Sequence, residues 1–341
     1  MDGLMKFLDV IGEEVEDAEE ESFLLFSQSI PSSNLGFVDS KSTTIDLTIH
    51  EREYTIHQSP TLLSSSRAGG TTGAVLWKIT PLFATWLSNQ PTNPLWTHNI
   101  LTPSSTVVEL GCGISALTAL TLSPLLSQSG HYLATDQEYV QKLFRQNLDA
   151  NPPSTSSSKP KSKTRKGGKA ARGGKASDAS AGGGGLGGAL HPNITFTSLD
   201  WETDIPDTLK AQISSSSPQL ENTGDDAENE EDKGFDVLLS CDCIYNDALI
   251  SPFVRTCAEI ARLRPSYSAF QRESSAPSGS ESAARRPTVC IIAQQQRSPE
   301  VFEGWLMETM RHFRVWRVRG DVLGRELGED SGYLVHVLVV K

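Results

Sequence analysis

The stretch Thr106 to Leu117, T-V-V-E-L-G-C-G-I-S-A-L, decides how the chain folds. Thr106, Val107 and Val108 are β-branched and suit a strand buried inside a parallel sheet. Gly111 and Gly113 then permit a tight turn and a close backbone approach to a ligand, after which the pattern becomes helical. Read alone, G-C-G-I-S-A also satisfies the loose dinucleotide pattern G-x-G-x-x-G/A, so a nicotinamide dehydrogenase and a methyl-transfer enzyme both fit the turn.

Glu109 separates these readings. A dinucleotide places its pyrophosphate over the turn and the following helix N-terminus, where a carboxylate just before the glycines repels it. S-adenosylmethionine carries no phosphate and ends in a cationic amino acid, so a carboxylate there is favourable. The next strand pattern, His131 to Thr135, runs into Asp136, about 25 residues past the first glycine. That is where βαβ cofactor sites place an acid for ribose hydroxyls.

The chain has 341 residues, 37% apolar and 21% charged, with a formal net charge of −12. This length buries a core easily and the composition is that of a soluble globular protein diluted by polar tracts. The acidic balance disfavours general nucleic-acid affinity and suits a basic protein substrate. No apolar run reaches the roughly 20 residues needed to cross a bilayer, and residues 1–21 lack a basic flank followed by an apolar segment. The expectation is a cytoplasmic protein, a nuclear location being compatible, with no membrane contact and a monomeric state. Five scattered cysteines, Cys112, Cys241, Cys243, Cys257 and Cys290, read as reduced thiols, and no His, Asp or Glu cluster calls for a metal.

Residues 1–72 read as an acidic N-terminal appendage in which Thr44 to His57 alternates like a β-hairpin. Residues 73–341 read as one α/β domain. Ala74 to Leu87 suits a buried helix entered or broken at Pro81. Strands follow at Thr106–Leu110, His131–Thr135, Asn193–Leu199, Phe235–Ser240 and Thr288–Ala293, with an antiparallel pair at Phe313–Arg319 and Tyr333–Val340. The predicted fold class is a doubly wound, mostly parallel seven-stranded sheet ending in an antiparallel hairpin, an arrangement typical of class I S-adenosylmethionine-dependent methyltransferases. Low-complexity insertions at 152–189 (basic), 214–233 (acidic) and 266–287 (Ser-rich) read as disordered. Each leads from a helix end to a strand start, the edge opposite the ligand-binding ends of the strands. Solvated spacers are one reading, and a weak RNA or ribosome tether through the basic insertion is another.

Two further strand ends carry chemistry. Asp200 and Trp201 follow the third strand, where an acid can accept from an adenine amino group and an indole can cover the ring; a capping aspartate beside a core tryptophan is the alternative. After the fourth strand, S-C-D-C-I-Y offers Asp242 to hold an amine and Tyr245 to face its cation. An ordinary loop fits D-x-x-Y taken alone.

Taken together, Trp77, E-L-G-C-G, T-D-Q, L-D-W and D-C-I-Y resemble the seven-β-strand protein lysine methyltransferases of the methyltransferase-like twenty-one group, and within it the fungal ribosomal lysine N-methyltransferase 5 family. The resemblance spans residues 23–340 apart from the insertions. It implies S-adenosylmethionine contacts at Trp77, Gly111, Cys112, Gly113, Asp136, Trp201 and Cys241, with Asp242 and Tyr245 at the reacting end. Cys241 stands where relatives often have alanine. The resemblance also implies a 60S ribosomal subunit protein as the basic substrate. Methyl transfer to another protein or to RNA, and a noncatalytic adaptor keeping the fold, are the competing readings. An adaptor would be expected to lose the cofactor acids, and an RNA enzyme would suit N-P-P-Y after the fourth strand instead of D-C-I-Y.

Overall fold

The computed structural model describes residues 2–29, 31, 35–65, 70–153, 190–214, 234–264 and 286–341. The insertions expected at 152–189, 214–233 and 266–287 lie outside the described residues except at their ends. Their described flanks are a helix C-terminus on one side and a strand start on the other: Gln141–Ala150 before the strand Ile194–Ser198, Leu209–Ser214 before Val237–Cys241, and Asp247–Arg262 before Val289–Gln295.

An N-terminal hairpin pairs β1 (Thr44–Ile49) with β2 (Arg52–His57), register Thr44 opposite His57. Its turn residues His50 and Glu51 both have positive φ, as a two-residue hairpin turn requires. The main sheet contains β3 (Thr106–Leu110), β4 (His131–Asp136), β5 (Ile194–Ser198), β6 (Val237–Cys241), β7 (Val289–Gln295), β8 (Phe313–Arg317) and β9 (Tyr333–Val340). Its spatial order is β5-β4-β3-β6-β7-β9-β8. Neighbours from β5 to β7 are parallel, and β9 alone is reversed, slotted antiparallel between β7 and β8. This is the class I methyltransferase fold that the sequence predicts.

The two-residue period of the strands divides the core between the faces of the sheet. Val107, Tyr132, Val237, Leu239 and Ile291 join one apolar cluster, while Val108, Leu110, Leu133, Leu238 and Ile292 join the other. Glu109 shares the first face with Val107, so the chain buries a carboxylate among aliphatic side chains. Pro81 falls in the first turn of the helix Ile79–Ser88, where its missing N–H costs no internal hydrogen bond.

The described residues among 1–72 pack against this sheet. Phe7 and Ile11 from the helix Asp2–Ile11 enter the first cluster, while Val15, Ala18 and Leu25 enter the second. Residues 11–15 run along the outer edge of β8, with Val15 N–H donating to Val315 O at 2.8 Å and Arg319 N–H to Ile11 O at 2.8 Å. An edge strand that would expose unpaired backbone groups is thereby covered. The hairpin is held by two asparagines of the helix Gln141–Ala150 and its C-terminus. Asn147 accepts from His57 N–H at 2.7 Å and donates to His57 O and Ile114 O, and Asn151 makes the equivalent pair with Thr55.

Candidate active site

The sheet winds one way from β3 to β4 and β5 and the other way from β6 onward. A crevice opens outside the carboxyl ends of β3 and β6, the usual ligand position in an open α/β sheet. A cavity of about 410 Å³ lies there, within the range of small-molecule sites. All eleven candidate residues from the sequence line it: Trp77, Glu109, Gly111, Cys112, Gly113, Asp136, Asp200, Trp201, Cys241, Asp242 and Tyr245.

The glycine turn forms one wall. Gly111 and Gly113 have φ of +68° and +59°, and a Cβ on Gly111 would lie 2.3 Å from Cys243 Sγ. The N–H groups of Gly111 and Cys112 both donate to Thr135 O, at 2.9 and 3.1 Å, fastening the turn to the end of β4. Asp136 consequently lies beneath the turn, its Oδ2 accepting from Gly113 N–H at 2.8 Å and its Oδ1 from Gln137 N–H at 2.7 Å. Burial pushes this carboxyl up to about 6, and the two N–H donors keep it from rising further.

Glu109 corrects part of the sequence argument. It is buried, Tyr132 O–H donates to its Oε2 at 2.8 Å, and desolvation pushes it up to about 7. A carboxyl that is half neutral near pH 7 does not repel phosphate as a standing charge. An adjacent positive charge would favour its anionic form.

The wall that the sequence assigns to adenine is built as follows. Trp201 packs edge-on against Phe253 with centroids 5.1 Å apart, and its buried Nε1–H finds no acceptor among the described residues. Its ring edge, Cζ2 and Cη2, is the part that approaches the glycine turn. Asp200 Oδ1 accepts from Glu202 N–H at 2.9 Å, bracing its own turn.

The opposite wall carries the larger correction. Asp242, expected to offer a free carboxylate to an amine, is buried and forked to Arg297, with Nη1–Oδ1 2.5 Å and Nη2–Oδ2 2.6 Å. Oδ1 also accepts from Gln295 N–H at 3.1 Å. Asp242 has φ +62°, a conformation uncommon for a residue with a Cβ, and its N–H is tied to Ala293 O at 2.7 Å. The Arg297 guanidinium lies 4.9 Å from the ring centre of Trp77, whose Nε1–H donates to Thr72 O at 3.0 Å. Tyr245 is 40% exposed at the mouth, with its hydroxyl 3.2 Å from Thr72 Oγ1. Cys241 Sγ lies 4.0 Å from Thr80 Oγ1, and burial pushes its thiol well above the usual range. All five cysteines are free.

Sequence reasoning missed Thr72, Gly73 and Arg297. Thr72 and Gly73 straddle the boundary drawn between appendage and domain, and Gly73 O accepts from Ile114 N–H at 3.0 Å. Arg297 had a usable signal, since Q-Q-Q-R ends the fifth strand of the main sheet at its carboxyl edge. Among the described residues, no group of three or more His, Cys, Asp or Glu could hold a metal ion, and no helix is long and apolar enough to cross a membrane.

No family model matches the chain. A Schizosaccharomyces pombe protein named diaminohydroxyphosphoribosylamino-pyrimidine deaminase is 41% identical over 138 residues, covering 40% of this chain and 32% of that protein. Proteins named ribosomal lysine N-methyltransferase 5 are 28% identical over 231 residues in Zygosaccharomyces rouxii and over 273 residues in Candida glabrata. These matches cover 60% and 65% of this chain and 58% and 73% of those proteins. The chain thus spans about a third of the first relative and between about a half and three quarters of the others. Zinc nucleobase deaminases use H-x-E and C-x-x-C, and neither motif occurs in this sequence. Among solved structures, Aeropyrum pernix fibrillarin with natively bound S-adenosyl-L-methionine is 13% identical with a TM-score of 0.37, covering 91% of this chain and all of that one. So loose a likeness adds nothing to the topology read from the strands.

Proposed function

We propose, from the premise that this chain is related to the fungal ribosomal lysine N-methyltransferase 5 proteins, that it is an S-adenosylmethionine-dependent protein-lysine N-methyltransferase. The observation that carries this reading is the single cavity gathering the glycine turn and Asp136 with Trp77, Asp242 and Tyr245. The residues fit the cofactor: two positive-φ glycines clear a backbone approach, the Trp201 ring lines the cavity, and Glu109 gains a proton-free form beside a cation.

When bound, the cofactor supplies a methyl already activated by its sulfonium. The glycine turn, Asp136 and Trp201 would hold the cofactor, and a lysine nitrogen presenting its lone pair would take that methyl, its surplus proton passing to solvent. The chain's task is alignment and exclusion of water. Asp136 accepts from the ribose hydroxyls, Trp201 covers the adenine, and Tyr245 at the mouth faces the incoming methylene stem and amine. A 60S ribosomal protein as the acceptor, a cytoplasmic location, a monomeric state and a weak ribosome contact through Lys159–Lys175 complete the proposal.

The test incubates the protein with labelled S-adenosylmethionine and extract from a strain lacking it, then hydrolyses the product. Label in methyl-lysine of large-subunit proteins is expected, and label confined to RNA or to other side chains refutes the lysine assignment. Asp136→Ala removes charge-assisted hydrogen bonds of roughly 1.5–3 kcal/mol each. It should therefore weaken S-adenosylhomocysteine binding at least tenfold by calorimetry. Unchanged affinity in the folded variant counts against the cofactor site.

A further inference from the structure

The Asp242 carboxylate is largely taken up, since both of its oxygens are held by Arg297. A carboxylate has about four lone-pair positions, and here three are engaged, two by the guanidinium and one by Gln295 N–H. The guanidinium is itself anchored on the Trp77 face, and Arg297 shares a small second cavity with Tyr245, which also lines the main one. The wall expected to be anionic is therefore a neutral, bidentate pair. An ammonium placed there would find the Asp242 carboxylate already paired with a guanidinium.

We infer that Arg297 is a positioning residue that neutralises Asp242 and so makes the acceptor pocket select the lysine amine in its unprotonated form. This rests on the lysine methyltransferase reading and deepens it. Only an unprotonated nitrogen has the lone pair that forms the N–C bond, whereas free lysine, with a pKa near 10.4, is almost wholly protonated at neutral pH. A pocket with a free carboxylate would bind the abundant, unreactive ammonium. A pocket whose carboxylate is already paired disfavours it, and the cationic cofactor adds to that preference.

The titratable groups facing the pair are few. Cys241 and Cys243 flank Asp242, Tyr245 stands on the same loop, and Tyr333 approaches from β9; burial pushes all four upward, Tyr333 to about 12, so they are neutral near pH 7. Glu109 and Asp136 lie elsewhere on the cavity wall and remain unchanged in each comparison below.

The experiment measures initial rates of tritium transfer from saturating S-adenosylmethionine into total protein from a strain lacking the enzyme, between pH 6 and 9.5. The acceptor concentration is one at which the rate no longer rises. Arg297→Met leaves Asp242 as an unpaired anion, so the rising limb of turnover should move up by about one pH unit while the apparent acceptor KM at pH 7 falls. Arg297→Lys keeps the charge and should hold the limb within a few tenths of a unit. Asp242→Asn leaves the guanidinium unbalanced and should move the limb down, which keeps the inference testable if Arg297→Met does not fold. The double variant Arg297→Met/Asp242→Asn should return the limb close to the wild-type position. Coincident limbs for wild type, Arg297→Met and Asp242→Asn, with label in lysine, overturn this inference alone. Absence of label in lysine from the wild-type protein overturns the underlying reading and the inference with it.

Discussion

Replacing Glu109 by glutamine isolates the cost of a buried acid. The amide side chain keeps an oxygen to accept the Tyr132 hydroxyl, keeps the shape, and cannot ionise. In the folded protein burial raises the carboxyl from 4.5 to about 7, so between those pH values the native state holds a proton that the unfolded chain has released. Stability must then fall as pH rises through this window, because the native state binds more protons than the unfolded one. At about 1.4 kcal/mol per pH unit the full penalty is ~3 kcal/mol, complete above pH 7 and absent below 4.5. Urea denaturation without cofactor should accordingly find Glu109→Gln close to wild type at pH 5 and up to ~3 kcal/mol more stable at pH 8. Asp136 is present in both proteins, so the comparison subtracts its own titration. Calorimetry supplies the second half: S-adenosylmethionine should bind wild type more tightly as pH rises from 6 to 8 and release protons on binding, and the variant should lose the Glu109 part of both effects. An identical stability difference at pH 5 and pH 8 would refute the reasoning.

Gly111→Ala places a Cβ 2.3 Å from Cys243 Sγ at φ +68°, so a loss of roughly 2 kcal/mol or more in denaturation and a weakened cofactor isotherm are expected, with Cys243→Gly in the same chain recovering part of the loss. His336, fully buried against Trp305 and Phe302, is pushed down to about 3 by desolvation. The unfolded chain binds the extra proton between about 6.5 and 3, so wild type loses stability as pH falls through that range. His336→Leu should abolish roughly 3 kcal/mol of this loss at pH 4, measured as the pH dependence of the urea midpoint.

The strands of the main sheet were legible because each is a short β-branched or apolar run ended by glycine, aspartate or a polar tract, and their core-facing alternation needs no tertiary information. The glycine turn and Asp136 were legible for the same local reason. What escaped was everything decided by pairs distant in sequence. Asp242 looked available because its partner is 55 residues away, and nothing near D-C-I-Y shows that Arg297 will fork onto it. Glu109 looked charged because its burial depends on which face of β3 receives the aliphatic side chains of neighbouring strands. Thr72 was divided from the site by a compositional boundary that the backbone ignores.

The pairing of residues 11–15 with β8 imposes a timetable on the making of the protein. Val15 leaves the ribosome 300 residues before Val315, the residue whose carbonyl receives its N–H. Throughout that interval residues 11–15 and the helix Ala18–Phe26 hold apolar faces whose partners, β8 and the helix Pro299–His312, have not yet been synthesised. A chain built this way closes late, since contacts between such remote segments are slow to form and leave sticky surface exposed meanwhile. The run of acidic residues from Glu13 to Glu21 falls beside those waiting faces, and its mutual repulsion and strong hydration would keep nascent copies apart until the final strands arrive.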